Sequence, residues 1–67
     1  MKRISKEDRA FYHGMLAALA VVQVHDQQVL FDEIVNTADV EQLIAVARDD
    51  EQMEMSGLER YGYGRPS

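Results

Sequence analysis

The side chains able to do chemistry are few and badly spaced for it. His13 and His25 lie twelve positions apart in a stretch that reads as one helix. That separation turns them about 120° around the helix and about 18 Å along it, so they cannot share a metal within one chain. The pair His25-Asp26 reads as an exposed helix end rather than half of an intersubunit metal site. Asp32-Glu33 and Asp49-Asp50-Glu51 are neighbours in sequence and read as solvated faces. General acid–base work needs a carboxylate in a pocket that shifts its pKa, and nothing here predicts one. Ser5, Ser56 and Ser67 stand in no nucleophile motif. The C-terminal glycines do not precede a helix as a phosphate-binding loop would. The reading assigns no catalytic residue, no metal and no cofactor, and the chain is not expected to be an enzyme.

Nucleic acid is also disfavoured. Seven basic residues against twelve acidic ones give a net charge of −5, the wrong sign for gripping phosphates. A helix-turn-helix running from Gln28 to Arg48 has a suitable length and a break at Asn36-Thr37. Its recognition helix would open on Asp39 and Glu41, where contact with DNA needs neutral or basic groups. Mimicry of nucleic acid by the acidic surface is the opposite possibility, and seven basic residues offset the carboxylates it needs.

The elements that must position these residues are helical. Ser5 can cap a helix whose first turn carries Glu7 and Asp8, where the helix dipole favours negative charge. Nothing forces a break before Val24, so the first helix spans about residues 5–24, roughly 30 Å. Asp26 reads as the cap of a second helix over about 27–36, with Leu30, Phe31, Ile34 and Val35 on its apolar side. Thr37 or Asp39 restarts the chain as a third helix over about 38–49, with Val40, Leu43, Ile44 and Ala47 on one stripe. The expected fold is therefore all-α: a small three-helix domain, one long N-terminal helix and two short helices. Residues 1–57 form this single helical domain and 58–67 a Gly/Tyr/Arg tail.

The first helix is apolar on two sides. Phe11, Met15, Leu19 and Val22 make a stripe of large groups, widened by Tyr12 and Leu16. Gly14, Ala17, Val21 and Val24 make a second stripe of small or β-branched groups. A surface helix of a monomer needs only one such face. Two helices of about ten residues cannot cover both sides of a rod this long, so Gly14, Ala17, Val21 and Val24 are expected to form a homodimer interface. A monomer in which Gly14 and the alanines admit a close helix is the plainer reading. The uncharged run from Gly14 to Val22 is too short to span a membrane, and Lys2 and Arg3 mimic a signal peptide only loosely because Glu7, Asp8 and Arg9 intervene. No cysteine is present, which fits a reducing cytoplasm. The expectation is a mature, soluble, cytoplasmic protein.

Beyond Arg48 the character changes. Asp49, Asp50, Glu51 and Glu54 form an acidic cluster interleaved with Met53 and Met55. Arg60, Tyr61 and Tyr63 follow among glycines, and tyrosine and arginine are residue types that anchor protein interfaces. These seven residues are the candidate partner-binding set. The tail either packs through its tyrosines or stays mobile.

The succession Phe11-Tyr12-His13-Gly14, Phe31-Asp32-Glu33-Ile34-Val35, Leu43-Ile44, Ala47-Arg48-Asp49, Gly57-Leu58 and Tyr61-Gly62-Tyr63-Gly64 resembles small accessory proteins of tailed phages and prophages. That resemblance implies a stoichiometric binder of a host protein, such as an inhibitor of a bacterial defence system, working in the host cytoplasm. A small helix-turn-helix-like transcriptional regulator and a structural component of a phage assembly are the alternatives.

Overall fold

Ser5 begins the first helix as expected: its hydroxyl accepts the Asp8 amide at 3.1 Å, ahead of Glu7 and Asp8 in the first turn. The computed structural model describes residues 4–64. Lys2, Arg3, Arg65 and Ser67 lie outside them. The described residues hold three helices and no strand: α1 over Lys6–Val24, α2 over Gln28–Val35 and α3 over Val40–Asp49. Asp39 caps α3 by accepting the Gln42 amide at 3.2 Å. None of these helices is long and apolar enough to cross a membrane.

Two helices end in the same way. After α1 the amide of Asp26 donates to the Gln23 carbonyl and that of Gln27 to the Val22 carbonyl; after α3, Glu51 donates to Arg48 and Gln52 to Ala47. This pair of crossed bonds closes a Schellman motif, which needs a residue in the left-handed region. Asp26 (φ 57°) and Glu51 (φ 55°) occupy that place, although glycine suits it best. Asp26 therefore terminates α1 instead of capping α2, whose N-cap is Gln27.

Both short helices pack chiefly on α1 and more lightly on each other. The core combines Tyr12, Leu16 and Leu19 of α1, Phe31 and Val35 of α2, and Leu43, Val46 and Ala47 of α3. The buried face of α1 is rotated from the expected stripe. Tyr12 is buried and donates to Gln42 Oε1 at 3.1 Å, while Phe11 is 56% exposed and packs edge-on against the Tyr12 ring from outside. The rotation follows from α3, which lies along the Arg9–Tyr12 side of α1 where it can meet both a buried phenol and a cation.

The remaining core residue is Leu58, fully buried. It arrives on a succession of turns that carries the chain back over α1 and α2. At Gly57 (φ 93°) an added Cβ would stand 2.6 Å from Gln23 Cβ and 3.1 Å from the Phe31 ring. Only a glycine permits that approach.

Two substitutions test this description. Gly57→Ala adds both a clash and an unfavourable φ, and is expected to cost at least about 2 kcal/mol in denaturant unfolding. Glu51→Gly relieves left-handed strain and removes an acid from a helix C-terminus. It is expected to stabilise by about 1 kcal/mol, which in a domain this small raises Tm by about 4–8 °C.

Candidate functional site

Three surfaces collect the polar and exposed apolar residues. The first joins α1 to the end of α3. Arg9 and His13, one helical turn apart, face Asp49 and Asp50: Arg9 meets Asp49 at 3.3 Å and Asp50 at 3.8 Å, and His13 Nε2 pairs with the Asp50 carboxylate. Beside them opens a groove of about 350 Å³ lined by His13, Leu16, Ala17, Asp50 and Gln52. Ionic contacts this exposed contribute at most about 1 kcal/mol each, so their work is to fix the angle between the helices. The hydroxyls of the described serines are in use elsewhere: Ser5 caps α1, and the buried Ser56 donates to the Met53 carbonyl and accepts from the Leu58 amide.

The second surface is the C-terminal segment, whose candidate residues fold back on the domain. Tyr61 and Tyr63 place their rings 4.7 and 6.0 Å from the Phe31 ring. The Tyr63 hydroxyl donates to Asp32 at 2.6 Å. Burial first, and then that hydrogen bond and charge, push the Tyr63 phenol up to about 12. Tyr12 is raised as well, by burial and then by the charges of Asp39 and Asp8. Arg60 donates to the Gln23 carbonyl and to Asp26, each at 2.8 Å, and lies 5.2 Å over the Tyr61 ring. Arg48 donates to the Gly64 carbonyl. Residues 58–64 are thus a strap across the α1–α2 corner, with the side chains of Leu58, Arg60, Tyr61 and Tyr63 committed within the chain.

The third surface is the outward face of α1. Gly14 and Ala17 are exposed, Val21 and Val24 are 60% and 73% exposed, and an added Cβ at Gly14 would meet no atom within 4 Å. Between Ala10 and Val24 that face carries no Asp, Glu, Lys or Arg. Of the acidic candidates, Asp49 and Asp50 are paired with α1 while Glu51 and Glu54 are exposed beside an exposed Met55. Among the described residues no group of three or more potential ligands is placed to hold a metal ion.

Compared with family models, with curated proteins and with solved structures, the chain matches none. The site residues that sequence reasoning missed are Gln52, Phe11 and the groove itself. Arg9 and His13, spaced i, i+4 beside the buried stripe, were the available signal for a charged seam with the acids that end α3.

The tyrosine strap predicts an alkaline limit. An unfolded tyrosine ionises near about pH 10, whereas folded Tyr63 holds its proton to about 12. The unfolded state therefore loses its proton first, so this contribution is complete below about pH 10 and lost as pH rises to 12. Thermal melts across this range should show Tm falling less steeply in Tyr63→Phe than in the wild type, with the variant already lower at neutral pH.

Proposed function

We propose that this protein is a binding module that acts as a homodimer, associating stoichiometrically with a host protein and inhibiting it. The observation that carries the reading is the outward face of α1. A 67-residue chain that leaves Phe11, Val21 and Val24 more than half exposed, along a helix side with no charge, presents a surface suited to another protein. Self-association through Gly14, Ala17, Val21 and Val24 covers that side and leaves the acidic surfaces outward.

The partner-facing surface is then the turn after α3, where the exposed Glu51 and Glu54 precede the 67% exposed Met55. An apolar anchor rimmed by carboxylates suits a basic protein surface. The resemblance to phage accessory proteins supports inhibition as the consequence of binding. The regulator reading draws little support, because Asp39 and Glu41 begin the helix that would enter DNA.

Two measurements test the proposal. Ala17→Glu should keep its helical circular dichroism and sediment at half the wild-type mass; a folded variant of unchanged mass removes the dimer. Wild-type protein should capture one defined partner from a bacterial lysate and Glu51→Lys/Glu54→Lys should lose it. Recovery of the bait alone counts against an inhibitor. Deleting residues 58–67 is not a clean test, because it strips Leu58, Tyr61 and Tyr63 from the core.

A further inference from the structure

Resting on the dimer reading, the geometry points to a specific seating: the groove beside His13 is the socket for Val24 of a second copy crossing antiparallel. The first reason is area. The apolar face from Ala10 to Val24 is about 22 Å long and about 10 Å wide, so it projects roughly 220 Å². Even doubled for the curvature of a helix, that is about half of the roughly 800 Å² per partner that a stable interface buries. A dimer through this face must therefore draw in what borders it.

What borders it is the groove. His13 and Ala17 are both its wall and the edge of the exposed face. The same edge of α1 continues through Ala20 to Val24, following the helical period. Its lower end carries a hole, the groove at His13, Leu16 and Ala17. Its upper end carries a knob, Val24, whose side stands 73% exposed.

A two-fold axis across the helices sets each edge of α1 against the same edge of its copy, run backwards. With the crossing between Ala18 and Leu19, His13 meets Val24 of the second copy and Ala17 meets its Ala20. Each knob then falls in the other chain's hole, and the seating occurs twice. A parallel pair, related by a two-fold along the helices, would set this edge against the opposite edge of the copy and carry Val24 away from the groove. That arrangement leaves both grooves empty and aligns the helix dipoles unfavourably. The antiparallel crossing also brings Gln52, on the far wall of the groove, into the interface.

The absence of native cysteine makes disulfide trapping a clean test. In the antiparallel seating the two copies of position 24 lie about 16 Å apart along the helices, far beyond the roughly 4.4–6.8 Å between Cα atoms that a disulfide spans. Mild oxidation of His13→Cys/Val24→Cys should give a linked dimer on a non-reducing gel. His13→Cys and Val24→Cys alone should stay unlinked. Efficient linkage of either single variant overturns the seating. A wild-type dimer in sedimentation with no linkage in the double variant overturns the register alone and leaves the dimer standing. A wild-type monomer at high concentration removes the dimer reading and this seating together. As a second readout, Gln52→Trp fills the groove without touching the small-residue face and should raise the dimer Kd at least tenfold. A folded Gln52→Trp protein with unchanged Kd overturns the socket.

Discussion

The contact on which the rest of this structure depends is the enclosure of the Phe31 ring. No single helix here can bury it. α1 lies on one side through Leu19, while Tyr61 and Tyr63 close the other side from the strap. Burying a side chain of this size contributes about 2–3 kcal/mol, a large share of the stability open to so small a domain. The requirement propagates outward. Tyr63 can cover the ring because Asp32, one residue on in α2, accepts its hydroxyl. Tyr61 is held by Arg60, which is itself anchored on Asp26. Gly57 must lack a side chain so that the strap can come close enough.

Much of the helical frame was legible because its signals are local. Ser5 with Glu7 and Asp8 marks one start and Asp39 another, since a cap acts on amides three residues away. The helix ends were harder. A Schellman motif announces itself through glycine, and here Asp26 and Glu51 stand in that place, so Asp26 reads in sequence as the beginning of α2. The rotation of α1 was hidden for a different reason. Phe11 and Tyr12 are equally apolar neighbours, and only the position of Gln42 on another helix decides that Tyr12 turns inward.

The candidate surfaces show the same division. The exposed side of α1 follows from residue spacing alone, since Gly14, Ala17, Val21 and Val24 recur with the helical period and the short helices cannot reach them. The acidic cluster was visible as composition, yet its partition was not. Asp49 and Asp50 belong to a seam with Arg9 and His13, forty and thirty-seven residues away, whereas Glu51 and Glu54 face solvent. Sequence proximity cannot distinguish carboxylates that hold the fold from those left for a partner. Likewise the arginine and tyrosines near the C-terminus have the composition of an interface, and the fold uses them internally.

The late position of Leu58 has a consequence for how the chain acquires its structure. α1 leaves the ribosome, apolar on two sides, while the residues that complete its core are still being added. Local helix formation can proceed at once, but the ring of Phe31 stays uncovered until Leu58, Tyr61 and Tyr63 emerge. Folding is thereby deferred until residues 58–63 have been added, and a polypeptide cut before Leu58 is left with an open core for proteases to find.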